Sequence, residues 1–470
     1  MAKLTRSIGI MLLVLCQDAP TAQGPTVDWR KQEAEILRHY RSLIQIDSSN
    51  PPGNETVVVD YLKRVFESEG IPVKSFALDS SRANLVARIR GNGSRRPILL
   101  MAHSDVVGVQ KEKWPVDPFG AVVRDGYVWG RGALDDKDNL TANLMVMLLA
   151  KRSGLVPDRD LIFLAEAGEE GTTRVGIDFM VSQHFDEINA EFALAEGGTA
   201  VLEDGKVTMV EVTTTEKLPR RVRLVVNGTS GHASIPRLDN AVVRLSAAVA
   251  KLGTWETPIR LNETTRTYFE KLAAISPPER AARYRALLDP ARLPAIAHDL
   301  AEHDPARHAM LRTSVVPTIL KAGFRMNVIP SEAEATIDIR ALPDEDVPRF
   351  YEEMRKVIAD PAVTIEPLTD GARPVAPVSR LDSDLYRALE RASAQMYPGA
   401  TTLPILMAAA TDMAQLRAKG IQSYGIGPAA TEDDTLKFGA HSDVERLRES
   451  SLYRFVEFTW RATMEVAVRR

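Results

Sequence analysis

Five short stretches gather imidazole and carboxylate groups, and none of them contains cysteine: Met101-Ala-His103-Ser-Asp105, Gly130-Arg-Gly-Ala-Leu-Asp135-Asp136-Lys137-Asp138, Glu166-Ala-Gly-Glu169-Glu170-Gly171, Glu196-Gly197-Gly198 and Phe438-Gly-Ala-His441-Ser-Asp443-Val-Glu445. On an extended chain His103 and Asp105 point the same way. If one imidazole nitrogen binds a cation, a nearby carboxylate can hold the other and fix the tautomer. Adjacent Glu169 and Glu170 would repel unless a cation or a shared proton compensates, and one can bind metal while its neighbour serves as base. Two histidines with several carboxylates suit a divalent ion such as zinc, and a shared carboxylate would allow two ions about 3.5–4 Å apart. Each stretch alone also fits a plainer account. His103 could be a satisfied strand-end histidine, Asp135 to Asp138 an acidic first helical turn, and Glu169-Glu170 a solvated loop.

The elements that must position these groups are legible around them. Apolar runs at Pro97 to Ala102, Leu161 to Ala165 and Glu191 to Ala195 each end in one of the polar clusters, and they alternate with helical spacing at Asp138 to Arg152 and Thr173 to His184. That alternation predicts an α/β layer with a central, largely parallel sheet. Ligands of such sheets bind beyond the carboxyl ends of the strands, where the clusters fall. Two further helices, Val27 to Ile46 and Glu55 to Gly70, flank the turn-rich stretch Asp47 to Asn54. After Thr215 the order becomes strand (Arg221 to Asn227), helix (Asn240 to Leu252), two strands (Thr318 to Val328 and Ala333 to Arg340), helix (Asp346 to Ile358) and strand (Val363 to Leu368). This is the βαββαβ order of a ferredoxin-like unit. A charged, Ala-rich helical insertion occupies 263–312. The expected organisation is a catalytic domain made of 27–217 and 369–470, with a lid domain of 218–368 inserted in it.

The chain has 470 residues, 44% hydrophobic and 26% charged, with a net charge of -4, enough for two cores. No basic excess is available to neutralise phosphates, so nucleic acid is not an expected partner, and small molecules are. Residues 1–24 have the layout of an export signal, with Lys3 and Arg6 before an apolar run from Ile8 to Cys16 that is too short to span a bilayer. This predicts a periplasmic or secreted protein with no membrane span in its mature chain. Cys16 is the only cysteine, so the mature chain has no disulfide, thiolate ligand or cysteine nucleophile to use. Its metal chemistry rests on histidine and carboxylate.

In order and local wording these clusters resemble the M20 zinc peptidase and aminoacylase family, which contains carboxypeptidase G2, aminoacylase-1, succinyl-diaminopimelate desuccinylase and carnosinases. The likeness runs from Ser49-Asn-Pro-Pro-Gly-Asn-Glu55 past His441. The stretch from Thr313 to Pro330 and the insertion before it resemble the branch of yeast carboxypeptidase S and the N-fatty-acyl-amino-acid hydrolases. The resemblance implies two zinc ions, replaceable by cobalt or manganese. His103 and Glu196 would hold one, Glu170 and His441 the other, and Asp135 would bridge them. Asp105 would orient His103, Glu169 would be the general base, and the peptide bond after Asp135 would be cis. Gly231-His232-Ala-Ser-Ile-Pro236 is similar to a lid motif whose histidine stabilises the oxyanion and, in dimeric relatives, reaches the partner's site, so a homodimer through the lid is implied. Asn327 and Arg340 resemble residues that bind a substrate's free carboxylate. By their residues alone, His232 also fits a turn histidine and Arg340 a surface arginine. The implied activity is hydrolysis of an amide bond in N-acyl amino acids or in short peptides with a free carboxylate. A strict dipeptidase or carboxypeptidase, and a non-catalytic binding protein on the same fold, are the alternatives. Val444 stands where relatives often have Asn.

Overall fold

The structure is a computed structural model that describes residues 27–369 and 371–468. The export segment expected at residues 1–24, with Cys16, lies outside the described residues.

Four parallel neighbours form the heart of a ten-stranded mixed sheet, in the order Leu161–Glu166, Ile98–His103, Phe192–Ala195 and Gln422–Gly425. Their residues alternate between two cores. Ile98, Leu100 and Ala102 face one, Leu99 and Met101 the other, as the two-residue period of a strand requires. Both faces are covered, so the strands read as unbroken apolar runs. Helices Trp29–Ile44, Lys137–Ser153, Asp384–Met396 and Glu449–Ala467 contribute to the first core, and Ile177–Gln183 and Met413–Ala418 to the second. The sheet departs from parallel at its edges. Asn84–Ile89 runs antiparallel to Leu161–Glu166, and a hairpin of Thr199–Glu203 and Lys206–Glu216 extends the other side, where Thr401–Met407 joins in parallel. That hairpin is not among the expected elements. Its signal was present: Asp204-Gly205, both at positive φ, form the two-residue loop that favours tight hairpins.

The inserted unit is a second, antiparallel sheet with strands in the order Val363–Pro367, Val222–Asn227, Glu332–Ala341 and Ser314–Ala322. Helices Ala241–Gly253 and Val347–Ile358 bury Leu245, Ala248, Leu252, Phe350, Met354 and Ile358 against it, giving the ferredoxin-like arrangement the pattern predicted. One strand is displaced. The run expected from Thr318 to Val328 starts at Ser314 and breaks at Gly323, which has φ 68°, before a short second piece, Val328–Ile329. The insertion folds into helices Glu263–Ile275, Pro278–Ala286, Leu293–His303 and Pro305–Ala309. It packs Tyr268, Phe269 and Leu272 against Met209, Leu403 and Leu406 of the main sheet. Among the described residues no helix is long and apolar enough to cross a membrane.

Candidate active site

The five clusters converge at the carboxyl end of the parallel strands. His103 ends its strand and Glu196 directly follows Phe192–Ala195, while Glu169 and Glu170 lie in the loop after Leu161–Glu166. Asp135 comes from the turn before the almost wholly buried helix Lys137–Ser153, where the positive end of the helix dipole favours acidic groups. The Asp135-Asp136 peptide bond is cis. His441 adopts φ 66°, a left-handed conformation that costs a non-glycine residue about 1–2 kcal/mol.

Asp135 lies between the two histidines. Its Oδ1 is 2.7 Å from His103 Nε2 and its Oδ2 is 3.1 Å from His441 Nε2. Glu170 Oε1 lies 2.9 Å from the same His441 nitrogen. One ligand atom each from His103, Asp135 and Glu170 lie within 4.8 Å of one another, and so do atoms from His103, Glu169 and Glu196. All five expected ligands and the expected base therefore meet in one place.

Asp105 is bound differently from the sequence expectation. His103 Nδ1 donates to the main-chain carbonyl of Asp105 at 3.0 Å, with the nearer carboxylate oxygen at 3.5 Å. The carboxylate is engaged elsewhere. It accepts from Asn50 Nδ2 at 2.8 Å and from the backbone N–H groups of Gly168, Glu169 and Glu170 at 3.0, 3.1 and 3.1 Å. One residue thus turns His103 so that Nε2 faces the site, and pins the loop that carries Glu169 and Glu170.

Burial opposes charge on His103, yet its bonds to Asp105 and Asp135 hold the imidazole well above its ordinary range. Hydrogen bonds to Asp135 and Glu170 push His441 up to about 10. Burial, then the negative charge of Asp135, raises Glu196 well above the usual carboxylate range, and burial with Asp412 takes Glu169 up to about 8. Burial also works against charge on Asp135, but the two imidazoles hold it below its ordinary value. The raised proton affinity of the imidazoles and the lowered one of Asp135 mark a cluster whose donors are nitrogen and carboxylate oxygen. Such a set fits divalent zinc and its borderline neighbours. A cation with access to the Nε2 atoms and the carboxylates would replace protons there.

Several contributors were not read from the sequence. Arg373 Nη2 lies 2.8 Å from Glu169 Oε1 and 3.0 Å from Asp412 Oδ1, so a buried guanidinium joins the expected base to the Thr411-Asp412 loop. Arg131 and Glu445 form a buried ion pair, Glu445 Oε1 accepts from Leu134 N at 2.7 Å, and Arg131 Nη2 reaches the carbonyl of His441 at 3.3 Å. No local motif announces Arg373, because its partners come from distant segments. Glu445 could have been found, since it lies in the same motif as His441.

A cavity of about 450 Å³ opens on the cluster and is lined by Asp135, Glu169, Glu170, Glu196 and His441. Pro219, Met407, Ala409 and Ala410 supply apolar wall, and Arg221, Arg340 and Arg373 supply positive charge. Of the expected lid residues the structure brings Arg340 to the cavity. His232 and Asn327 are exposed at the two-stranded ladder in which Gly231–His232 pairs with Val328–Ile329, outside the cavity lining of this single chain.

The model of Peptidase family M20/M25/M40 matches residues 99–465. The probable carboxypeptidase S-like 2 of Dictyostelium discoideum is 32% identical over 375 residues, which span 78% of this chain and 70% of that protein. An N-fatty-acyl-amino acid synthase/hydrolase of Xenopus tropicalis is 30% identical over 453 residues, 91% of this chain and 85% of that protein. The crystal structure of an M20 family metallo-carboxypeptidase from Sulfolobus solfataricus shares the fold, with a TM-score of 0.72 at 18% identity over 92% of this chain and 99% of that one.

Proposed function

Because this chain belongs to peptidase family M20/M25/M40 and is thereby a hydrolase of the metallopeptidase type, we propose that it cleaves the amide bond of N-acyl amino acids bearing a free α-carboxylate. His103 and Glu196 would hold one zinc ion, Glu170 and His441 a second, and Asp135 both. The observation that carries the shared role of Asp135 is that its two oxygens address the two histidines separately. When bound, the ions supply Lewis acidity, lowering the pKa of a water at the site and polarising the scissile carbonyl. Glu169 takes a proton from that water at its carboxylate and delivers it to the leaving nitrogen. Arg373 holds one Glu169 oxygen in place, and Arg340 receives the carboxylate of the amino-acid half.

The acyl reading is favoured over the dipeptidase reading by the cavity wall. Its acidic lining residues among those described, Asp135, Glu169, Glu170 and Glu196, all belong to the metal cluster or act as base, so among the described residues no lining carboxylate is left to meet a free ammonium group. Met407, Ala409 and Ala410 offer apolar surface instead. The signal-like N-terminus supports export.

The test is a panel of N-acyl amino acids and matched dipeptides assayed with zinc, cobalt or manganese, with Glu169→Gln as the control. The acylated compounds should be turned over, and the variant should lose about 10²–10⁴-fold in kcat, the usual contribution of a positioned base, while keeping its metal. Dipeptide cleavage without acyl-amino-acid cleavage would overturn the substrate reading. Unchanged turnover in Glu169→Gln would overturn the base assignment.

A further inference from the structure

We infer that Arg221 is a second arm of the carboxylate-binding site, fixed alongside Arg340 by the one carboxylate of Asp338. The inference rests on the reading above, in which an anionic end of the substrate enters the cavity beside the metal cluster.

Asp338 and Arg340 are two apart on the strand Glu332–Ala341 and therefore share a face. The antiparallel register runs from Pro219 opposite Arg340 to Val222 opposite Ile337, and it carries Arg221 to the position beside Asp338. The side chains follow. Arg221 Nε donates to Asp338 Oδ1 at 3.0 Å, and Arg340 Nε donates to Oδ2 at 2.8 Å. Each guanidinium uses one donor of the five it carries, and both line the cavity that holds Glu170 and His441. Among the described residues, no side-chain acceptor is hydrogen-bonded to the terminal nitrogens of either arginine.

The plainer account is a cross-strand surface ion pair, but one aspartate needs one arginine. Two guanidiniums on one carboxylate leave a net positive charge and place like charges side by side, a repulsion that a second anion would relieve. Asp338 is held below the ordinary carboxylate range by the two arginines despite partial burial, so its negative charge is already committed to them. The site then has room for one further negative charge. A planar carboxylate suits it, because a guanidinium edge offers two parallel N–H donors. Arg221 therefore selects substrates that end in one free carboxylate, and Asp338 positions both arginines without touching substrate.

The test compares wild type with Arg221→Gln and Arg221→Lys on an N-acyl amino acid and on its C-terminal amide. Loss of a charge-assisted contact should raise KM for the carboxylate about tenfold or more in Arg221→Gln, with kcat within about twofold. The amide's kcat/KM should not change, and Arg221→Lys, which keeps the charge but not the fork, should fall between. Thermal unfolding and metal content should match wild type, which separates the effect from a folding defect. Calorimetric titration reads binding apart from turnover. Wild type that binds the N-acyl amino acid without cleaving it sinks the function proposed above and leaves the Kd difference as the measure of Arg221. Equal affinity of wild type and Arg221→Gln for the carboxylate, or equal losses on carboxylate and amide, overturns the inference alone.

Discussion

The carboxylates that His103 and His441 touch raise the proton affinity of both imidazoles, against opposing burial at each. A metal needs the same Nε2 lone pairs, so loading must expel protons. The sign follows from the raised values. Below the range in which His441 titrates, about 10, metal and proton compete, and affinity rises as pH rises. Calorimetric titration with zinc in two buffers of different ionisation enthalpy should show net proton release near pH 7. A heat independent of the buffer would show that the imidazoles are already neutral. Glu169 belongs to the same account. Burial and Asp412 keep it protonated near neutrality without metal, and cations bound beside it would lower its pKa toward that of a working base.

At the scale of elements, the site depends on two loops held against each other. The turn 130–134 leads into the helix Lys137–Ser153, and the loop 438–446 carries His441. Between them, Arg131 and Glu445 are 2% and 0% exposed. Burial pushes Glu445 up to about 7 even with that guanidinium beside it. Arg131→Met would strand a carboxylate in the interior, and breaking a buried pair in this way costs about 3–5 kcal/mol. Denaturant unfolding should show that loss, together with weaker metal retention, since Arg131 also braces the carbonyl of His441. A change under about 1 kcal/mol would mean that water reaches the pair and that it behaves as a surface one. Glu445, four positions after the site's last motif histidine, was visible in sequence as a neighbour. Its partner 314 positions away was not.

For the whole molecule, the expected part of His232 in the reaction depends on a second chain. The two-stranded ladder of His232 is not part of the cavity lining, and the edge strand Ser314–Ala322 exposes Val316, Ile319 and Leu320, with Phe324 and Met326 beyond it. An unpaired apolar edge of this kind invites a second chain. The expectation is a homodimer through the lid, with each His232 serving the partner's cavity. Sedimentation should give a dimer. Mixing inactive Glu169→Gln chains with inactive His232→Ala chains should restore about a quarter of wild-type activity, because half of random two-fold dimers would contain one complete site of two. No recovery after subunit exchange would place His232 outside the reaction.

The sequence by itself determined which groups could bind metal and the class of layer that presents them. His103, Asp135, Glu170, Glu196 and His441 sit in local wording that survives without coordinates, and strand and helix periods are local consequences of side-chain burial. It also placed the ferredoxin-like order of the lid. Tertiary structure alone decided pairings that no motif carries, such as Arg373 with Glu169 across 204 positions. It also decided that one Asp338 would hold both Arg221 and Arg340, and that Asp105 would give its carboxylate to a loop and its carbonyl to His103. The reason is physical. A charge's role depends on which other charges share its buried volume, and that is set only when distant segments pack together.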